Sequence, residues 1–356
     1  MISRLSLRST ISDDAVLKKV TARKEARFKF IDLFAGIGGF RLGLEAQGGR
    51  SVFASEWDKT AKEYYFRNHG DYPFGDINKF TGEHLSDEQV DQLVPDHDLL
   101  AGGFPCQPFS IAGVSARNFR GSSHGFSCKT QGTLFFSIER LARIKRPKVL
   151  FLENVKNITR HDQGRTFNII RESLESAGYA FNYKIIDSQS VVAQRRVRCF
   201  MVAVRNDIAA NRGAFEFPKF PEGSIPLRSV LSKEPDPKYT LSDKMWAGHK
   251  ARTIRNVERG TGFTALEANL DKPSNTIVAR YGKDAKECLV PQTGRNPRYL
   301  TIDECRQLFG YPETFQLPAS KTPAYKLLGN SVIVPVVQAI ASSIKRSYFS
   351  GRDMRQ

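Results

Sequence analysis

Short apolar segments alternate with turns and helical segments from residue 28 to about residue 205. The stretches 28–34, 51–55, 149–152 and 199–204 have the length and composition of strands. Residues 40–47 follow a helical pattern that Gly48 ends. Continuous apolar runs are typical of strands that are covered on both faces. The pattern therefore predicts an α/β fold, with a mixed, mostly parallel sheet and helices on both faces.

The pattern changes near residue 211. Prolines cluster between Pro218 and Pro237, helical periodicity fades, and basic residues mix with glycine and aromatic residues up to about Arg298. This composition predicts a smaller, irregular, β-rich domain. Helical periodicity returns near residue 300, and residues 332–348 predict an amphipathic helix that packs back on the first domain. We therefore divide the chain into an N-terminal extension (1–27), a first domain (28–210), a small domain (211–322) and a returning C-terminal segment (323–356).

The charge balance favours a polyanionic partner. The chain has 54 Lys and Arg residues against 37 acidic residues, which gives a formal net charge of +17. Such an excess favours nucleic acid, although a basic surface can also serve solubility alone. No apolar run has the length of a membrane span, and the N-terminal residues lack the apolar centre of a signal peptide. These features predict a cytoplasmic protein with no membrane partner.

The cysteines do not indicate a disulfide framework or a zinc site. They are dispersed, odd in number and include no Cys-x-x-Cys pair. The five are Cys106, Cys128, Cys199, Cys288 and Cys305. We therefore expect reduced thiols and no bound metal.

A glycine-rich turn joins the first strand to the first helix. Phe34, Gly36 and Gly38 lie in this turn, where glycine allows a ligand to approach the backbone near a helix N-terminus. Glu56 ends the next strand, where a carboxylate can accept both hydroxyls of a ribose. Trp57 beside it is suited to stacking on an adenine or to plain core packing. Together these residues indicate a nucleotide-like cofactor.

Cys106 follows an apolar strand and the residues Gly103 and Pro105. Chemistry in α/β enzymes gathers at the carboxyl ends of such strands. A lone cysteine here has three interpretations: buried filler, metal ligand or nucleophile. No His or Cys at ligand spacing supports a metal, whereas the rigid Pro105 and the glycines favour an exposed nucleophile.

Acidic and basic groups are expected near this thiol. Glu153 ends the strand at 149–152, so partial burial would raise its pKa and allow it to donate a proton. Arg196 and Arg198 alternate into a strand and share one face, where they can hold a carbonyl oxygen or a phosphate. A salt-bridged surface Glu and a solvated basic face are the alternatives. Residues 107–136 form a long segment that we interpret as a closing lid.

These motifs, taken in order, resemble those of the DNA cytosine-5 methyltransferases over almost all of residues 28–342. The resemblance rests on Phe34-x-Gly36-x-Gly38, Glu56-Trp57-Asp58, Gly75-Asp76-Ile77, Pro105-Cys106-Gln107, Glu153-Asn154-Val155, Gln194-x-Arg196-x-Arg198, Arg298-x-Leu300-Thr301-x-x-Glu304-Cys305 and Gly329-Asn330-Ser331-Val332. Eight such blocks in order are far more specific than any one of them. The fold expected is the Rossmann-like fold of class I S-adenosylmethionine-dependent methyltransferases.

The resemblance implies the cofactor S-adenosylmethionine. Its implied contacts are Phe34, Gly36, Gly38, Glu56, Trp57, Asp76, Ile77, Gly103, Pro105, Leu134, Asn330, Ser331 and Val332. The Cys106 thiolate would add to carbon 6 of a flipped cytosine, Glu153 would bind ring nitrogen 3, and Arg198, helped by Arg196, would hold the base oxygen. Carbon 5 would then take the methyl group, with no metal required.

The resemblance also implies double-stranded DNA as the partner of a monomeric enzyme. Implied DNA contacts are Gln107, Ser110, Gln194, Arg280, Tyr281 and Lys283. Residues 130–136 and 276–284 resemble the bacterial Dcm-type branch, which shares Gln131 where many relatives carry Arg. Members of the family with similar sequences in these two segments recognise DNA sites that begin with CC. A cognate restriction endonuclease is a further implied functional partner.

Two other functions stay open at this stage. An RNA cytosine methyltransferase would use the same site on tRNA, although the basic insert at 211–297 favours an enzyme that reads duplex DNA. A catalytically silent DNA-binding regulator would bind the cofactor without methyl transfer, which the intact Cys106, Glu153 and glycine turn argue against.

Overall fold

The computed structural model describes residues 26–105, 134–260, 265, 267–284 and 288–350. Its strands are β1 (Phe28–Leu33), β2 (Gly49–Ser55), β3 (Leu99–Gly103), β4 (Val149–Val155), β5 (Tyr179–Asp187), β6 (Val197–Arg205), β7 (Val290–Gln292) and β8 (Arg295–Arg298). Its helices are α1 (Gly39–Glu45), α2 (Lys59–His69), α3 (Asn78–Thr81), α4 (Asp87–Leu93), α5 (Leu134–Lys145), α6 (Arg165–Ser176), α7 (Asn206–Arg212), α8 (Asp243–Glu258), α9 (Tyr281–Asp284), α10 (Ile302–Leu308), α11 (Lys321–Gly329) and α12 (Val334–Ile344).

The first six strands form one sheet in the order β2-β1-β3-β4-β6-β5. The neighbours among β2, β1, β3 and β4 are parallel, whereas β6 runs antiparallel to both β4 and β5. Side chains of β4 alternate between two apolar clusters: Val149 and Phe151 in one, Leu150 and Leu152 in the other. Burial on both faces explains the continuous apolar run. The expected mixed, mostly parallel α/β sheet is confirmed.

The small domain contains more helix than its sequence suggested. The structure gives it helix α8, of 16 residues, and a two-stranded antiparallel sheet of β7 and β8. We expected a β-rich domain, and α8 was missed because its buried side is narrow and mixes Trp246 with polar residues. Arg298 and Glu304 are both almost fully buried and form a bidentate ion pair, in which each guanidinium nitrogen lies 2.8 Å from a carboxylate oxygen. This pair fastens β8 to the start of α10. Glu304 also completes the capping box of that helix with Thr301.

The C-terminal helix α12 lies against α1 of the first domain. A Cβ atom built on Gly43 would lie 2.5 Å from Cγ1 of Val337, so glycine lets these two helices approach closely. Phe349, just beyond α12, stacks on Phe28 at the start of the sheet, with 4.6 Å between ring centroids. The stretch Lys321–Phe349 is apolar and long enough to cross a membrane, but 67% of its most apolar window is buried inside the protein. We interpret it as a core segment.

The close approach of α1 and α12 at Gly43 predicts that alanine destabilises the protein there, whereas alanine at Gly248, a helical glycine with open space around it, stabilises it. Gly43→Ala should lower the free energy of unfolding by about 1–3 kcal/mol, because its new methyl group overlaps Val337. Gly248→Ala, within α8, is the control: a Cβ built there meets nothing within 4 Å, and alanine should stabilise the helix by about 0.5–1 kcal/mol. Urea unfolding of both variants measures the difference. Equal effects would contradict the close helix contact.

Candidate active site

The carboxyl ends of four adjacent strands carry the residues that the sequence singled out. The register pairs Leu33 of β1 with both Ser55 of β2 and Gly102 of β3. It also pairs Gly103 of β3 with Glu153 of β4. The glycine turn, Glu56, Pro105 and Glu153 therefore meet along one edge of the sheet, where α/β proteins bind their ligands.

The turn after β1 is held in a left-handed conformation. Phe34 and Gly36 each have a φ of 55°, and Gly38 has a φ of 88°. This conformation is uncommon for phenylalanine and is often found at functional sites. A Cβ built on Gly36 would meet nothing within 4 Å, so the space above this glycine is open to a ligand. At Gly38 a side chain would collide with the ring of His69, so that position requires glycine.

Glu56 is fixed at the mouth of this turn. Its carboxylate accepts hydrogen bonds from the backbone N–H groups of Gly36, Trp57 and Asp58, each at 2.8 Å. Burial raises its pKa, and these three hydrogen bonds oppose that shift. The Trp57 side chain is 80% exposed, so it is not packed in the core. A fixed carboxylate beside an exposed indole suits the ribose and adenine of a nucleoside.

Asp76 lies on the loop that pairs with the end of β2, where Phe74 bridges to Ser55. One of its oxygens, Oδ1, accepts hydrogen bonds from the backbone and side chain of Asn78. Ile77 is buried beneath this turn. Asp58 caps helix α2 and pairs with Lys326 of α11 at 2.6 Å, which ties this side of the edge to the C-terminal helices.

The carboxylate of Glu153 pairs with the guanidinium of Arg198 on the neighbouring strand. Oε1 lies 3.1 Å from Nε, and the two side chains are only 12% and 16% exposed. Burial raises the pKa of Glu153, opposed by the positive charges of Arg198 and Arg196. A Cβ built on Gly103 would lie 3.2 Å from Oε2 of Glu153, so the glycine leaves this carboxylate uncrowded.

Asn154 holds the chain that leads out of β3. Its side-chain nitrogen donates a 2.9 Å hydrogen bond to the carbonyl of Phe104, and its oxygen accepts one from the backbone of Val155. The residue is almost fully buried. The sequence analysis assigned Asn154 no role, because the contact joins residues 50 positions apart. Asn154 therefore fixes the backbone immediately before Pro105.

Several predicted residues lie outside the described part of the chain. Cys106, Gln107 and Ser110 belong to the segment 106–133, as does most of the expected lid. Leu134, at the other end of this segment, begins helix α5 and is partly buried. Among the described residues, no group of three His, Cys, Asp or Glu side chains is arranged to hold a metal ion.

Arg196 occupies a different position from the one expected. Its buried guanidinium donates to the carbonyls of Ile277, Gly329 and Ser331 at 2.9–3.0 Å and lies 5.2 Å from the ring centroid of Phe309. Arg196 was expected to help hold the base oxygen; in this structure both of its terminal nitrogens bind the chain itself, and its buried Nε–H has no hydrogen-bond partner among the described residues. Arg198, paired with Glu153, remains next to the candidate acid.

Two predicted DNA contacts are also corrected. The side-chain amide of Gln194 is buried, donating to the carbonyl of Leu308 and accepting from the backbone of Ile277. Tyr281 is fully buried, and its hydroxyl donates to the carbonyl of Cys288 and accepts from the backbone of Leu300. Both side chains brace the small domain and are out of reach of DNA in this conformation. Arg280 and Lys283 are exposed.

The C-terminal block returns to the turn after β1. Val332 approaches Gly39, where a Cβ would lie 2.7 Å from Cγ2 of the valine. The buried hydroxyl of Ser331 is hydrogen-bonded to that of Tyr311, and Asn330 is exposed. Residues 330–332 therefore lie beside the start of α1, which follows the glycine turn.

The sequence analysis also missed a buried acid beneath this turn. Asp32 of β1 is fully buried, and neither carboxyl oxygen has a hydrogen-bond partner in the described part of the chain. Burial raises its pKa to about 8, opposed by the charge of Arg41. The feature of the sequence that could have revealed this acid is its position inside a mostly apolar strand.

Known proteins resemble this chain over nearly its whole length. A family model described as C-5 cytosine-specific DNA methylase matches residues 28–346. The type II methyltransferase M.SsoII of Shigella sonnei is 44% identical over 324 residues, covering 90% of this chain and 81% of that protein. A DNA-cytosine methyltransferase of Escherichia coli is 38% identical over 378 residues, covering 92% of this chain and 80% of that protein.

Solved structures show the same fold. A DNMT2 mutant of Spodoptera frugiperda has a TM-score of 0.67 at 19% identity, covering 89% of this chain and 99% of that one. The Dnmt2 methyltransferase of S. pombe has a TM-score of 0.66 at 20% identity, covering 90% and 98%. The sequence matches go further than fold: this chain belongs to the C-5 cytosine-specific DNA methylase family and is an enzyme of the DNA (cytosine-5)-methyltransferase type.

Proposed function

We propose that this enzyme methylates carbon 5 of cytosine at a short specific site in double-stranded DNA, with S-adenosylmethionine as methyl donor. The observation that carries the proposal is the Glu153–Arg198 pair, which lies at the end of β4 beside the strand that leads into Pro105 and Cys106. The buried pair supplies an acid and a cation at the sheet edge where the cofactor turn also lies.

The cofactor residues fit S-adenosylmethionine. The open space above Gly36, the fixed carboxylate of Glu56 and the exposed ring of Trp57 would hold its amino-acid, ribose and adenine parts in turn. The partly buried Asp76 and the exposed Asn330 complete the expected contacts, with Gly103 and Pro105 on the side of the reacting base. When bound, this cofactor supplies the electrophilic methyl group.

The chain's own residues then perform the covalent chemistry. The Cys106 thiolate adds to carbon 6 of the cytosine, and Glu153 donates a proton to ring nitrogen 3, which leaves an electron-rich carbon 5. Arg198 holds the base oxygen. After methylation, water takes the proton from carbon 5, the electron pair expels the thiolate, and ring nitrogen 3 returns its proton to Glu153. Because carbon 6 is covered in a stacked duplex, the base has to flip out, which costs a few kcal/mol.

The relatives support a proposal about the biological setting. Two of them, M.SsoII and M1.ScrFI, are type II methyltransferases. We propose that this chain is a monomeric, cytoplasmic modification enzyme, paired functionally with a restriction endonuclease, and that its site begins with CC. Among the described residues that were expected to contact DNA, Arg280 and Lys283 are exposed, and we propose that they take part in base readout.

The function predicts cytosine protection in one short DNA motif. The purified protein is incubated with S-adenosylmethionine and unmethylated genomic DNA, and bisulfite sequencing reads the product. Cys106→Ala is the matched control: it should bind cofactor and DNA but leave every cytosine unprotected, because it lacks the nucleophile. Protection of tRNA cytosines instead of DNA would favour the RNA function. Cofactor binding without protection of either would favour a silent regulator, and methylation by Cys106→Ala would disprove the mechanism.

The role of Glu153 predicts a pH dependence. Burial raises the pKa of Glu153, so the protonated acid persists to higher pH than for a free Glu, and kcat should fall as pH rises through that value. Glu153→Gln should lower kcat by about 10²–10⁴-fold and abolish this fall. The exposed Glu172→Gln on α6 is the control and should retain the wild-type pH profile. A near-normal rate for Glu153→Gln would remove Glu153 from the acid role.

The contact of Asn154 predicts a positioning role. Asn154→Ala removes the donor that holds the Phe104 carbonyl, so Cys106 would no longer be presented at a fixed distance. We expect kcat to fall by about 10–100-fold with little change in the Kd for DNA or cofactor. The exposed Asn157→Ala should change neither. A parallel loss of cofactor affinity would indicate a general structural effect.

A further inference from the structure

Helix α8 of the small domain is attached along one narrow face. Trp246, His249, Thr253 and Asn256 are its buried or partly buried residues, and their spacing places them on one stripe. Thr253 accepts a 2.9 Å hydrogen bond from the backbone of Ala265. The other residues of the helix are exposed, so most of its circumference faces solvent.

A separate, solvent-facing side of α8 carries a row of cations. Lys244, Gly248, Arg252, Arg255 and Arg259 follow one another at intervals of four, four, three and four residues, which keeps them on one face. We call this row the basic stripe; at 1.5 Å per residue it is about 22 Å long. All five residues are exposed. No ion pair or hydrogen bond engages the four cationic side chains within the described residues.

Acidic residues do not neutralise the basic stripe. Asp243 is on another side of the helix, where it accepts a 2.6 Å hydrogen bond from the side chain of Asn296. Glu258 forms no ion pair within the described chain and is one charge against four. Lys250 lies over the ring of Trp246, away from the stripe. The stripe is therefore a continuous positive surface.

The glycine in the stripe indicates that a partner approaches closely. Glycine in the middle of a helix is destabilising relative to alanine. Nothing in the described structure requires it, because a Cβ built on Gly248 meets no atom within 4 Å. The adjacent Ala247 and Ala251 are also small and exposed. With Gly248, these alanines leave the helix backbone little covered by side chains between Lys244 and the arginines.

We propose that the basic stripe binds the phosphate backbone of duplex DNA. This rests on the proposed function and adds to it the surface along which the DNA lies. Phosphates recur every few ångströms along each strand, and long flexible cationic side chains on a helix can reach a run of them. Phosphate contacts position a protein without reading sequence. The stripe therefore contributes affinity and orientation, while Arg280 and Lys283 remain for base readout.

A quadruple alanine variant tests the proposal: Lys244→Ala, Arg252→Ala, Arg255→Ala and Arg259→Ala. Alanine is the best helix former, so α8 should persist, which circular dichroism and thermal unfolding check. The Kd for a duplex is measured from 50 to 200 mM salt. Each lost phosphate contact removes about 0.9 from the slope of log affinity against log salt, so the slope should fall by about 3 to 4. The methylated motif should be unchanged, because phosphate contacts do not read sequence.

A control with the same change in net charge separates the stripe from bulk electrostatics. It carries Arg50→Ala, Arg171→Ala, Lys184→Ala and Lys219→Ala, all exposed residues outside the site. Its salt slope should stay close to that of the wild type. An unchanged slope in the stripe variant, an equal fall in the control, or a shifted methylation motif would each overturn the proposal. Failure of the proposed function would show separately, as a wild-type protein that does not methylate DNA.

Discussion

The buried guanidinium of Arg196 joins the three parts of the molecule. It extends from the middle of the Gln194–Arg198 segment and donates to the small domain at Ile277 and to the C-terminal block at Gly329 and Ser331. A buried arginine is unfavourable unless its N–H groups are paired. These three carbonyls pair the two terminal nitrogens, while the Nε–H has no partner among the described residues. Loss of any one would leave part of a buried charge unsatisfied. The small domain and the C-terminal helices are therefore held in one register against the sheet.

The hydrogen bonds of Arg196 also fix two parts of the sheet edge that carries the candidate active site. Arg198, two residues further along the same face, lies beside Glu153, while Gly329 and Ser331 enclose Asn330 near the start of α1. The proposed binding sites for base and cofactor are therefore attached to the same buried cation. If the small domain shifted on binding DNA, either the C-terminal block would have to move with it or the hydrogen bonds of Arg196 would have to break. The arrangement favours a rigid platform, with adaptation left to exposed surfaces such as α8.

The sequence predicted what depends on local pattern and failed where tertiary neighbours decide. The strands at 28–34 and 199–204 were placed within one or two residues, because buried apolar residues predominate in both segments. Helix α8 was missed because His249 and Thr253 line its buried side. Arg196, Gln194 and Tyr281 were assigned to substrate because spacing shows which residues share a face but not what lies opposite. Asn154 was overlooked because its partner, Phe104, follows another strand and lies 50 positions away in the sequence.

The Glu153–Arg198 pair sets two requirements against each other. A proton donor has to be protonated, yet a cation 3.1 Å away stabilises the carboxylate. Burial acts in the opposite direction and raises the pKa of Glu153. The positive charge of Arg198 limits this rise but does not reverse it. On the proposed mechanism the cytosine resolves the conflict: its oxygen takes the Arg198 N–H groups, and its ring nitrogen 3 faces Glu153. The base also excludes water from the carboxyl, which raises the pKa further. The acid would therefore become fully competent only when the base is in place, so that proton donation and base binding occur together.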